Sequence, residues 1–245
     1  MPPFTRAGRA LRLLRWRELG LGRQACALCR FPLLLRLRAE EMGVRCPRCG
    51  ASSVTQSLVD VLQQLGLNLA QADVYELSAQ GPLVPFLRHR CKTLTLSEYF
   101  PGIAPGQWHG EIQCQDVQAL SYADARFDLC TSTEVFEHVE DDIRGFREIA
   151  RVLRPGGWFV FSVPLDVNQA TVERTTLENG VRKNLLPPEY HADRYRGERV
   201  FCYRNYGADI VDRLHQSGFA DAKIQQPTRH LLGYARPIVC ARKAV

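Results

Sequence analysis

Four cysteines fall in two pairs, Cys26-Ala27-Leu28-Cys29 and Cys46-Pro47-Arg48-Cys49, with sixteen residues between the pairs. Two residues between thiolates form a tight turn that aims both sulfurs at one ion, and two such turns complete the tetrahedron that Zn2+ favours. Gly50 lets the chain turn away after the second pair, and Phe31 to Leu37 reads as the strand of a small ribbon. A stretch of about 26 residues cannot bury a sufficient core alone, so the metal would supply folding energy. A second concentration of reactive groups lies in Thr131-Ser132-Thr133-Glu134-Val135-Phe136-Glu137-His138. An imidazole there has the pKa of a proton acceptor at neutral pH, and a carboxylate beside it can bind or orient a partner. Three further acids, Glu76, Glu98 and Asp116, each end a β-prone run.

The elements that would hold these groups follow from the pattern. Phe127 to Thr131 is a short strand. Ile143, Phe146, Ile149, Ala150 and Leu153 then share one helical face, with acids opening that helix and arginines closing it. Pro155-Gly156-Gly157 stops the helix, and Trp158 to Val163 is a nearly unbroken apolar run, as in a strand buried on both faces. A strand, helix, strand unit with polar groups at its strand end is where an open α/β sheet binds ligand. Earlier strands are expected from Val74, over Lys92 to Glu98 and over Gly110 to Cys114. A capped helix is expected from Ser52 or Ser53 to Leu65, lying over the sheet edge. A last helix spans Ala208 to Gly218, and two closing strands lie at Ala222-Lys223-Ile224 and Ile238-Val239-Cys240-Ala241.

The wording FDLxxxxEVxEHV followed by LRPGGxFVFSVP resembles the fourth and fifth strands of class I S-adenosylmethionine (SAM)-dependent methyltransferases of the type 11 group. The resemblance spans roughly residues 70–243. It implies a Rossmann-like α/β fold, a seven-stranded sheet flanked by helices, carrying SAM as cofactor. On that basis Glu76, Ser78, Gln80 and Gly81 take the place of the family's acidic residue and glycine-rich loop, with Ser78 and Gln80 standing where glycines are usual. Glu98 corresponds to the acid that accepts from the ribose hydroxyls, and Asp116 with Val117 to the pair that reads the adenine. Thr131 would lie beside the sulfonium, and Glu134 and His138 would face the acceptor as the catalytic pair. His138 is equally well a packing residue at the helix start. The expected organisation is a basic segment at 1–24, a zinc ribbon at 25–50 and the methyltransferase domain at 51–245. Within the last, 166–206 forms a lid or acceptor insertion rich in arginine, proline and aromatics. A zinc module ahead of this fold also resembles some bacterial rRNA guanine methyltransferases.

Composition bounds these readings. Residues 1–50 hold eleven arginines against Glu18, Glu40 and Glu41, a balance of +8 in a chain of net +6, so the remainder is slightly acidic. Such a basic stretch suits a polyanion such as RNA, or is simply a solvated surface. Nine cysteines with no secretory leader argue against a disulfide framework and for a reducing cytoplasm. No apolar run approaches the ~18–20 residues of a membrane span. The methyl acceptor, a small molecule or RNA, is not specified. A second reading, from a different class, is a non-catalytic protein whose altered loop has lost the cofactor and whose ribbon binds RNA or a protein.

Overall fold

The computed structural model describes residues 16–192, 197 and 199–245. Most of the basic N-terminal segment, residues 1–15, and a few insertion residues (193–196 and 198) lie outside the described residues. Strands β1 (Gly20–Gly22), β2 (Leu34–Arg36) and β3 (Val44–Arg45) form an antiparallel ribbon. Helix α1 (Ser53–Gln64) follows, capped by the Ser52 hydroxyl, which accepts from Thr55 N at 3.2 Å. In chain order the body then adds β4 (Asp73–Glu76), α2 (Leu83–Arg88), β5 (Thr93–Glu98), β6 (Trp108–His109), β7 (Ile112–Cys114) and β8 (Phe127–Thr133). Helix α3 (Asp142–Val152) leads into β9 (Leu153–Ser162).

An insertion of short strands comes next: β10 (Leu165–Asp166), β11 (Val172–Glu173), β12 (Thr175–Glu178), β13 (Val181–Asn184), β14 (Glu189–Ala192), β15 (Arg199–Cys202) and β16 (Arg204–Gly207). Helix α4 (Ile210–Gln216) and the antiparallel pair β17 (Phe219–Gln225) and β18 (Ile238–Lys243) close the chain.

The main sheet runs β17-β18-β9-β8-β4-β5-β7-β6, eight strands rather than the seven the sequence suggested. The extra one is β6, a two-residue edge strand antiparallel to β7, made where Gly110 turns the chain at positive φ. Strands β5, β4, β8 and β9 are mutually parallel, so their carboxyl ends, with Glu76, Glu98 and Thr131 to Thr133, open on one edge of the sheet. Helix α3 ends at Val152, and Pro155-Gly156-Gly157 already belongs to β9, absorbed by a register shift against β8.

Two apolar clusters cover the two faces. One centres on Phe136, Phe146, Phe159 and Phe161, with Phe136 and Phe146 stacked at 4.5 Å and Phe159 and Phe161 at 4.2 Å. Gly145 allows this close packing, since a Cβ would stand 3.1 Å from the Phe136 ring and push it aside. The other joins ribbon residues Cys26, Ala27, Leu34 and Val44 to Leu58 and Leu62 of α1 and to Val74, Leu129 and Val160 of the sheet. Helix α1 is therefore buried between ribbon and sheet, packing on β9 and β18, where the sequence suggested a cover for the sheet edge. Its polar groups are satisfied across that contact. Gln56 bonds Ala27 N and Ala51 O, Ser53 donates to Glu41 O at 2.7 Å, and Asp60 accepts from Thr228 N at 2.6 Å.

Candidate active site

Register places Glu76 directly beside Thr131 on the neighbouring strand, and the Thr131 hydroxyl donates to the Glu76 carboxylate. Glu76 is fully buried. Burial pushes its carboxyl up to about 8 against the Thr131 bond, and Glu98 adds to the rise. The loop after β4 crosses to β5: the Ser78 hydroxyl and Ala79 N donate to one oxygen of Glu98, at 2.9 and 3.0 Å. Gly81 takes φ 94°, a conformation that favours glycine, and α2 begins two residues later. The Gln80 side chain is exposed, so it does not fill the loop. Ser78, standing where a glycine is usual in the resembled family, is thus part of the loop's hydrogen-bonded framework. Asp116 closes its own turn, accepting from Gln118 N at 2.9 Å, while Val117 is buried under that turn. The Ser132 and Thr133 hydroxyls at the end of β8 are buried without a hydrogen-bond partner. Glu76, Ser78, Glu98 and Thr131 are therefore brought together, and unpartnered hydroxyls lie next to them. That fits a polar ligand lying over these strand ends.

Glu134 sits one residue past β8 at φ 54°, left-handed backbone that is strained for a glutamate and held by its N–H to Ser162 O at 3.0 Å. Burial pushes its carboxyl up to about 7, Glu137 adds to the rise and Arg236 opposes it. One oxygen, Oε1, has no hydrogen-bond partner, and the other lies 3.8 Å from Arg236. Arg236 also holds the ribbon's Glu41 at 2.5 Å and donates to Val163 O at 2.9 Å. A cleft of about 500 Å³ opens beside it, lined by Glu41, Pro164, Leu165, Tyr234 and Arg236. Nothing in the sequence marked Arg236, an arginine in a loop between closing strands.

His138 ends the 3-10 turn Phe136–His138. Its Nδ1 lies 2.7 Å from Phe201 O, and since a carbonyl only accepts, Nδ1 carries the proton and Nε2 holds the lone pair. The insertion is pinned to this turn by more than His138. Buried Arg204 donates to Val139 O at 2.5 Å and Glu140 O at 2.7 Å, Tyr203 N donates to Glu137 O at 2.8 Å, and the Tyr206 hydroxyl donates to Asp142 at 2.9 Å.

In the ribbon, the Cys26 and Cys49 sulfurs are 3.7 Å apart and those of Cys29 and Cys46 3.5 Å, with all four within 4.8 Å of one another. A tetrahedron with Zn–S bonds of about 2.3 Å has edges of about 3.8 Å. The two turns are copies of each other. Cys26 N and Cys46 N donate to Phe31 O and Ala51 O, and Arg30 N and Gly50 N donate back to Cys26 O and Cys46 O. Arg30 and Gly50 both take positive φ, 61° and 75°. The four sulfurs fit a zinc ion.

A family profile described as a methyltransferase domain matches residues 49–161. A ubiquinone biosynthesis O-methyltransferase of Coxiella burnetii is 42% identical over 79 residues, 32% of this chain and 33% of that protein. A demethylmenaquinone methyltransferase of Mycolicibacterium vanbaalenii is 30% identical over 134 residues, 53% of this chain and 57% of that protein. The chain thus spans between a third and somewhat over half of the length of these curated relatives. A SAM-dependent methyltransferase from Mesorhizobium loti superposes with a TM-score of 0.51 at 19% identity, covering 76% of this chain and 98% of that one, which is a likeness of fold.

The buried Glu76 carboxyl has a consequence for stability. In the unfolded chain it ionises near about 4.3, and in the folded chain near about 8. Between those values the folded state keeps a proton that the unfolded state has lost, so the group's stabilising contribution declines as pH rises from about 4.3 to about 8. Glu76→Gln cannot ionise, so in urea denaturation it is expected to gain stability relative to the parent on going from about pH 6 to about pH 8. A difference independent of pH contradicts the buried, protonated carboxyl.

Proposed function

We propose that the chain, whose residues 49–161 match a methyltransferase-domain profile, transfers a methyl group from SAM to a small-molecule acceptor. The observation that supports this best is the joined Glu76, Ser78, Glu98 and Thr131 network over adjacent parallel strand ends, next to unpartnered Ser132 and Thr133 hydroxyls. When bound, SAM supplies an electrophilic methyl on a sulfonium. Glu98 binds the ribose hydroxyls, which displace the Ser78 and Ala79 donors from its carboxylate. Asp116 and Val117 hold the adenine, Gly81 lets the loop backbone approach the methionine end, and Glu76 with Thr131 faces that cationic end. Gln80 stays at the rim.

In-line displacement depends chiefly on holding the two reactants at attack distance. Glu134 and His138 stand on the acceptor side, where the strained Glu134 backbone and the insertion fix their positions. His138 Nε2, with its tautomer set by Phe201 O, takes the proton of an acceptor hydroxyl. One relative is named for ubiquinone biosynthesis and another as a demethylmenaquinone methyltransferase, which favours a phenolic or quinol acceptor over RNA for this chain. The cleft beside Arg236 offers a place for part of it. The four cysteines hold one structural zinc, and the ribbon so fixed presents Glu41 to Arg236.

Calorimetry with S-adenosylhomocysteine tests the cofactor site. Saturable binding by the full chain, weakened at least tenfold in Glu98→Ala, is expected; no binding by protein with intact near-ultraviolet circular dichroism contradicts the proposal. For the ribbon, titrating the thiols of reduced protein with a mercurial is expected to release one zinc per chain, and none from Cys46→Ser. Thiols that react without releasing zinc would rule the site out.

A further inference from the structure

A second group of ligating side chains lies apart from the four cysteines, where the insertion meets the turn after β8. Glu137 is 1% exposed, and neither of its carboxylate oxygens has a hydrogen-bond partner. A buried anion without donors costs several kcal/mol unless a cation compensates it. Two imidazole nitrogens stand near Glu137 Oε1, His138 Nε2 at 3.6 Å and His191 Nδ1 at 3.7 Å. Both are too far for hydrogen bonds.

The other nitrogen of each ring is already committed. His138 Nδ1 meets Phe201 O at 2.7 Å, and His191 Nε2 meets Glu189 Oε1 at 3.1 Å. A carbonyl and a carboxylate only accept, so in each neutral ring the proton sits on that outer nitrogen. In the metal-free chain the Cys202 thiol, with the Glu137 and Glu189 carboxylates, pushes the His191 imidazole up to about 11, so a proton meets the carboxylate charge there. A bound cation would take that proton's place between the inner nitrogens and Glu137. Ligand bonds of about 2.1 Å in a tetrahedral set put neighbouring ligand atoms about 3.4 Å apart, close to the spacing seen here. A backbone carbonyl and a carboxylate behind the two rings are also the usual outer partners of metal-bound histidines.

We propose that Glu137, His138 and His191 form a site for one divalent cation of intermediate hardness, such as Mn2+, Fe2+, Co2+ or Zn2+. The Cys202 thiol next to His191 donates to Arg204 O at 3.1 Å and stands outside the set. Three protein ligands leave positions open, as in sites that bind a further oxygen ligand. The site needs the insertion: Glu137 and His138 come from the turn after β8 and His191 from β14, so the cation clamps one to the other. On the methyl-transfer reading, on which this extension rests, an open position takes the acceptor's hydroxyl and lowers its pKa. With the cation bound, His138 Nε2 serves as a ligand in place of the base role it has in the metal-free chain, and the hydroxyl's proton passes to solvent.

The test is an Mn2+ titration of the zinc-loaded full chain, followed by electron paramagnetic resonance of the free ion. Mn2+ prefers oxygen and imidazole over thiolate ligands, so the cysteine site does not compete. One Mn2+ per chain is expected, bound at least tenfold more weakly by Glu137→Gln and by His191→Ala. His191 is partly exposed on a hairpin, so His191→Ala with an unchanged near-ultraviolet spectrum reads the site even if Glu137→Gln does not fold. No saturable binding by the parent, or equal affinity in His191→Ala, overturns the proposal. Mn2+ binding without S-adenosylhomocysteine binding would instead defeat the methyl-transfer reading and leave the metal site standing.

Discussion

The structure depends on three carboxylates at or just beyond the carboxyl ends of β4 and β8: Glu76 and Glu137, both buried, and Glu134, half-buried. Burying a carboxylate is unfavourable unless donors or a cation meet it, and uncompensated groups take up a proton instead. Each of the three is met differently. Glu76 receives the Thr131 hydroxyl, Glu134 has Arg236 at a distance, and Glu137 has only two imidazoles at 3.6 and 3.7 Å. Acids kept in this state are poised for cationic or hydrogen-bond-donating ligands, because such ligands repay the lost hydration. The concentration of unsatisfied groups on one sheet edge separates a ligand site from an ordinary core.

The two additions to the sheet both reach that edge. The ribbon does so through Glu41, Arg236 and Glu134, a chain of charges linking a module held by four sulfurs to the strained residue after β8. The insertion does so through Arg204, whose guanidinium closes the carbonyls of the turn carrying Glu137 and His138. Loosening either addition therefore moves Glu134, Glu137 and His138 without touching the strands beneath. Neither is an independent bead on a string. The ribbon shares an apolar cluster with α1 and the sheet, and the insertion shares hydrogen bonds with the turn after β8.

Much of this was legible in the sequence, for physical reasons. The apolar run of β9, the amphipathic face of α3 and the paired cysteines are local patterns, and each is found where its period or spacing puts it. The helix cap at Ser52 was likewise readable. What escaped were features set by contacts distant in sequence. Strand β6 is two residues long and has no periodicity to read. Helix α1 was expected to cover the sheet edge, yet its polar residues Gln56, Ser57 and Asp60 bond the ribbon and the closing loop, contacts that no local pattern shows. Arg236 and His191 carried no signal as site residues, since only the folded chain brings them to Glu134 and Glu137. The role of Ser78 was also hidden: its hydroxyl completes the loop only because Glu98 ends the next strand.

The most direct measurement is a crystal structure of the full chain with S-adenosylhomocysteine. The predicted result places the ribose on Glu98, with the Ser78 and Ala79 donors released, and the methionine end above Glu76 and Thr131. A ligand bound elsewhere, or a loop still closed on Glu98 in crystals grown with saturating S-adenosylhomocysteine, would contradict the assignment of this sheet edge as the cofactor site.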